Sequence, residues 1–293
     1  MISSNGPVSL RTGDRVGLIA GAGTLPADVA EVLARTGFPP FVVIVEGDGE
    51  ATERLAAFSH RRMPIEDFAS FLPLMRAEGV THVVMAGSVT RRPRLAAVPW
   101  GIRHLRLLPR AARALRKGDD GLLKEIVSYA EEHGIAIVGP QDLVPDLVAS
   151  EGRLTKLAPK EADRKDIAAA REAAKALGRL DVGQGAVAIG GRVIALEGVE
   201  GTDEMLARVA SLRSHPRLAG KKRGVLVKCA KPGQELRMDL PAIGPATVEA
   251  AHRAGLAGIG VEAGRSFVLD QAKTIALADR LGLFIVGLPG GDT

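Results

Sequence analysis

Between residues 15 and 140 the chain alternates short apolar runs with helical stretches, and this restricts the fold more than any other feature. "RVGLIA", "FVVIVE", "THVVMAG" and "GIAIVG" are apolar throughout, without the in-out alternation of a half-exposed sheet. Helices are predicted between them over 26–36, 65–78 and 121–133, and "FSHRRMPI" holds a further short strand. Strands that are apolar on both faces and joined by helices form a parallel sheet covered on both sides. The expected fold class is α/β, with a Rossmann-like domain over 15–145.

The pattern then changes. "QDLVPDLVASEGRLTKLAPK" mixes polarity and carries two prolines, so 146–160 reads as a linker. A helix is predicted over 161–177. "AVAIGGRVIALE" reads as a hairpin about Gly190-Gly191. "GTDEMLARVASLR" reads as a helix with acids in its first turn and Thr202 as its N-cap. "RGVLVKCAK" and "LRMDLPAIG" read as strands about a "KPGQE" turn. A helix over 245–254, a strand in "GIGVEAG", a helix over 270–281 and a strand in "LFIVGL" follow. The expectation is a mixed α/β domain over 161–293, with residues 1–14 a disordered leader.

Composition narrows the function. The chain has 293 residues, enough for one large domain or two ordinary ones. Aromatic residues are only 3%, so the core must be aliphatic, and an RNA surface of stacked rings is disfavoured. The net charge of +5 favours an anionic partner. One cysteine, Cys229, excludes an internal disulfide and argues against a cysteine-based zinc site. It reads as a small apolar residue, and a reducing cytoplasm fits. No window offers the ~20 apolar residues that a membrane-spanning helix needs.

"VGLIAGAGTLP" places Gly21, Ala22, Gly23 and Thr24 in a strand-to-helix turn, where backbone N–H groups and the helix dipole suit a phosphate. The third glycine of the dinucleotide fingerprint is missing, and Pro26 stands near its place. Three readings stay open: a nicotinamide cofactor with Glu46 as the ribose acid, a mere connector, or a turn holding another phosphorylated or sugar ligand. Residues 91–117 hold nine Lys or Arg, no acid, and the only tryptophan, Trp100. That suits a solvated face, an anionic lipid surface or, less well, nucleic acid.

Asp239 sits in "RMDLP", on a stretch read as an apolar strand, where a carboxylate needs a cation or several donors. Lys228, Lys231 and Arg237 are near enough in sequence to pair with it. The alternative is a metal ligand or general base, with Glu262 as a second carboxylate on an adjacent strand. Thr202 and Asp203 add polar groups at a helix start. No HExxH or GxSxG motif is present, so a carboxylate with magnesium is the simplest enzymatic option.

Together, "GLIAGAGTLP", "AGSVTRRPRL", "LDVGQGAVAIGGRVIALEGVEGTDEML" and "VLVKCAKPGQELRMDLPAIGPATVEAAHRAGLAGIGVEAG" closely resemble the I-type UDP-2,3-diacylglucosamine diphosphatase family of lipid A biosynthesis. The resemblance runs from about residue 15 to residue 288. It implies hydrolysis of UDP-2,3-diacylglucosamine to UMP and 2,3-diacylglucosamine 1-phosphate (lipid X), with water attacking the sugar-side phosphorus. It also implies a two-domain, Mg2+-dependent cytoplasmic protein working at the inner-membrane surface, with Asp239 tied to catalysis. The candidate substrate-binding positions on these motifs are Gly21, Ala22, Gly23, Thr24, Gly87, Ser88, Gln184, Thr202, Asp203, Lys228 and Lys231. The candidate metal ligands are Asp239 and Glu262. Residues 91–117 are the expected membrane contact, no nucleic acid is expected, and a homodimer through small-residue helices such as 167–177 is a further expectation.

Overall fold

The computed structural model describes residues 10–46, 53–88, 98, 118–218, 220, 223–232, 235–237 and 240–290. The chain divides into two compact units. The first comprises residues up to Pro145 together with Arg237, and the second runs from Asp146 onward.

In the first unit, β1 (Val16–Ala20), β2 (Phe41–Glu46), β3 (His60–Pro64), β4 (His82–Ala86) and β5 (Ala136–Val138) form a five-stranded sheet in the order β3-β2-β1-β4-β5. Every pairing in it is parallel. The longer helices are α1 (Leu25–Arg35), α2 (Phe68–Ala77) and α3 (Gly118–Glu132), with single helical turns at Glu53–Ala56 and Pro140–Leu143 and a 3-10 turn leading into α2. The apolar runs are buried on both faces as expected; β2 exposes only its last residue, Glu46. Gly17 on β1 leaves room for Met75 of α2: a Cβ there would lie 2.6 Å from the thioether sulfur.

In the second unit, β6 (Gly152–Arg153), β7 (Gly185–Ile189), β8 (Arg192–Leu196), β9 (Val225–Lys228), β11 (Gly258–Glu262) and β13 (Phe284–Leu288) form a six-stranded sheet in the order β6-β13-β11-β9-β7-β8. The three central strands β9, β11 and β13 are parallel, and the hairpin β7–β8 and the short β6 are antiparallel to their neighbours. β10 (Ala242–Ile243) and β12 (Phe267–Val268) make a separate two-stranded ribbon. The helices are α4 (Glu161–Arg179), α5 (Gly201–Leu212), α6 (Pro245–Arg253) and α7 (Gln271–Leu281).

Period-two alternation divides the second core. Val187, Ile189, Leu226, Ile259 and Ile285 join the helices α5, α6 and α7 on one face. Ala186, Ala188, Val225, Val227 and Cys229 meet Ala170 and Ala174 of α4 on the other. Small side chains on both partners allow close approach of helix and sheet. Ala170 and Ala174 of α4 are thus covered by the chain's own sheet.

Two expectations need correcting. Among the described residues, "LRMDLPAIG" contributes only β10, outside the main sheet, because Leu236 and Arg237 lie in a turn. Within 146–160, β6 adds to the sheet edge beside β13, with Arg153 opposite Val286.

Candidate functional site

In the first unit the glycine turn sits where the strand order reverses. β1 and β4 are neighbours, their following segments lead away in opposite directions along the sheet, and the crevice at such a switch point is where α/β sheets take ligands. Two segments meet there by main chain alone. Gly21 N–H donates to Ala86 O at 2.9 Å, Ala22 N–H to Ser88 O at 2.8 Å, and Ser88 N–H to Ala22 O at 3.0 Å. A Cβ on Gly21 would lie 2.5 Å from Ser88 O. Gly87 has φ +86°, and a Cβ there would meet Ala22 O at 2.5 Å and the Pro26 ring at 2.9 Å. The close approach that a third glycine gives the dinucleotide fingerprint is thus supplied from β4, by Gly87 beneath Pro26. The N–H groups of Gly21 and Ala22 are spent on this lock. The exposed residues Gly23, at φ +97°, and Thr24 form the accessible start of α1.

A concavity of about 570 Å³, lined in part by Arg15, Phe38, Pro39, Phe41 and Phe58, lies at the amino-terminal ends of β1 and β2. It is on the opposite edge of the sheet from the glycine turn and is no part of the candidate site.

In the second unit the expected polar residues gather at the carboxyl ends of β9 and β11. Lys228 closes β9 and is 6% exposed. Its Nζ donates to Thr202 Oγ1 at 2.8 Å and to Ala242 O at 3.3 Å. Thr202 Oγ1 donates in turn to Glu197 Oε1 at 2.5 Å, and that oxygen lies 3.9 Å from Lys228 Nζ. Glu197 Oε2 accepts the N–H of Gln184 at 3.2 Å. Gln184 Oε1 is buried and has no hydrogen-bond partner. Thr202 is not the N-cap that its sequence position suggests. Glu200 holds that position, and the Thr202 hydroxyl is drawn instead to Glu197. Asp203 is exposed in the first turn of α5. Lys231 pairs with Asp181 at 2.7 Å, and Asp181 is one of two non-glycine residues with positive φ among those described.

Glu262 ends β11, is 2% exposed, and accepts the N–H of Ala230 at 3.1 Å; its other oxygen is 4.0 Å from Arg265. Its neighbour Cys229 is buried, and burial first, then the charge of Glu262, pushes the thiol pKa up to about 12. Arg237 pairs with Glu131 at 2.8 Å. Asp239 lies outside the described residues, as do residues 91–117 apart from Val98. Among the described residues no group of three or more His, Cys, Asp or Glu is placed to hold a metal ion. No described helix is long and apolar enough to cross a membrane.

Glu197 is the residue that sequence reasoning missed. Its signal was a carboxylate directly following the apolar strand "VIAL", five residues before Thr202.

Comparison with known proteins agrees with these two regions. The family model for the LpxI N-terminal domain matches residues 15–147, and that for the LpxI C-terminal domain matches residues 150–286. A curated protein of Caulobacter vibrioides, "UDP-2,3-diacylglucosamine pyrophosphatase LpxI", is 42% identical over 275 residues, covering 94% of this chain and 97% of its own. Among solved structures, a CobK precorrin-6A reductase covers 95% of this chain and 89% of its own, at 17% identity and a TM-score of 0.31. The nicotinamide alternative gains no support from the two domain models. Matched in both halves and across nearly its whole length, the chain belongs to the LpxI family.

Proposed function

We propose that this chain hydrolyses UDP-2,3-diacylglucosamine to UMP and 2,3-diacylglucosamine 1-phosphate. The reading is carried by the relative named for a pyrophosphatase acting on that compound, aligned over 94% of the chain. The geometry supports it through Lys228, a buried cation at the carboxyl edge of the second sheet, beside Thr202 and Gln184. Water attacks the sugar-side phosphorus, and the bond from that phosphorus to the bridging oxygen breaks. The bridging oxygen leaves with UMP, and the water's proton passes to Asp239 and from there to solvent. Lys228 and Lys231 offset negative charge on the departing UMP. Gly23 and Thr24, at the start of α1, contribute N–H groups to a diphosphate or sugar oxygen.

Asp239 activates the water, and Asp239 and Glu262 are the residues that would hold a magnesium ion. Of that pair the described residues supply only Glu262, whose carboxylate already accepts one N–H, so they do not form the centre by themselves. When bound, the ion offsets diphosphate charge and polarises phosphorus. Residues 91–117 dock on the anionic cytoplasmic leaflet that holds the substrate.

Hydrolysis in oxygen-18 water, with mass analysis of both products, tests the reading. The label is expected in 2,3-diacylglucosamine 1-phosphate and not in UMP. Label in UMP refutes the assigned phosphorus, and absence of UMP with magnesium present refutes the reaction. Asp239→Ala is expected to abolish turnover and leave the fold intact.

A further inference from the structure

Glu197 is 6% exposed and directly follows the edge strand β8. Its backbone N–H extends the hairpin by donating to Gly185 O at 2.9 Å. Room for it is made by two glycines. A Cβ on Gly183 would lie 2.2 Å from Glu197 O, and one on Gly185 would lie 2.7 Å from Glu197 Oε2. The triplet "GQG" is therefore shaped around this side chain, with Gln184 held by its N–H against the same carboxylate. A hydroxyl has one proton to give. Thr202 gives it to Glu197 Oε1, which leaves a lone pair facing Lys228 Nζ. Three of the residues assigned to the substrate are thus fixed by one carboxylate. That carboxylate is also a counter-charge for a lysine buried as deeply as itself.

We infer that Glu197 is a positioning residue for the reaction, holding Lys228 through Thr202 in the place and charge state from which it meets the departing phosphate. This rests on the hydrolase reading above. A buried ion loses its purpose and its stability when its partner is removed. Glu197 then acts through Lys228 and contributes nothing once Lys228 is gone.

The test is a double-mutant cycle on turnover of UDP-2,3-diacylglucosamine, using the full chain with its active fraction fixed by product titration. Glu197→Gln is expected to lower kcat at least 30-fold with KM changed less than threefold, and Lys228→Met to lower kcat at least 100-fold. The double variant should match Lys228→Met within a factor of three. Wild-type kcat in Glu197→Gln, or a double variant whose loss is the product of the two single losses, overturns the inference. Should Glu197→Gln fail to fold, the comparison of Lys228→Met with the double variant, where neither charge is left alone, decides it by the same criterion. A wild-type chain that releases no UMP refutes the hydrolase reading and this inference with it. An active wild type with additive losses refutes only the inference.

Discussion

The two units use the carboxyl ends of their parallel strands in opposite ways. In the first, Gly21, Ala22, Gly87 and Ser88 are joined main chain to main chain, and each glycine sits where a methyl group would collide with a carbonyl oxygen. In the second, Glu197, Thr202 and Lys228 meet through side chains, with the backbone N–H of Gln184 on the same carboxylate, and two of those side chains are ionisable and buried. A main-chain lock gives shape and is indifferent to pH. A side-chain cluster gives charge, and each of its members depends on the others.

The largest effect is expected from Gly87→Val. A branched side chain at φ +86°, 2.5 Å from Ala22 O, should destabilise the first unit by roughly 3 kcal/mol, read from the urea unfolding midpoint. A change under about 0.5 kcal/mol would mean that the lock does not hold the two turns. Thr202→Val should cost about 1–3 kcal/mol by the same measurement, because it leaves Lys228 and Glu197 each short of a partner.

Acid should act on the second unit through Asp163. Burial pushes its carboxyl up, but the two hydrogen bonds from Arg223 and the N–H of Lys160 outweigh this and hold it below the ordinary carboxylate range. A carboxyl lowered on folding stabilises above its unfolded pKa of about 4, and that stabilisation is lost as pH falls through the folded value. Asp163→Asn should therefore be less stable than wild type at pH 7 and show a flatter acid limb. An unchanged limb in urea titrations between about pH 5 and 2 would count against the pairing.

The smallest effect is expected at Gln184. Gln184 Oε1 has no partner, so Gln184→Met should change stability by less than about 0.5 kcal/mol, while KM for the substrate rises. A large stability loss would show that the amide already serves the fold.

Much of the fold was legible because burial on both faces leaves an unbroken apolar run, as in "FVVIVE", and because Gly190-Gly191, both at positive φ, marks the β7–β8 turn. β6 was not legible, since two residues at a sheet edge carry no period. "LRMDLPAIG" looked like a strand from its apolar content, yet among its described residues only Ala242 and Ile243 pair, in the separate ribbon. The glycine turn was visible as a turn. Gly87 was expected at the site, but its service as the spacer beneath Pro26 was not, because that contact joins positions 61 residues apart in sequence. Glu197 was invisible for a related reason: an acid after a strand looks like any solvated strand end, and its meaning lies in the glycines at 183 and 185 that fold back over it.

The alanine-lined side of the second sheet has a practical consequence. Cys229 lies there, 1% exposed, packed with Ala170 and Ala174 of α4. A thiol so placed is inert to alkylating reagents until the helix lifts away, so its labelling rate times that excursion. The only sulfhydryl in the chain is a native clock for the breathing of α4, readable without introducing any probe.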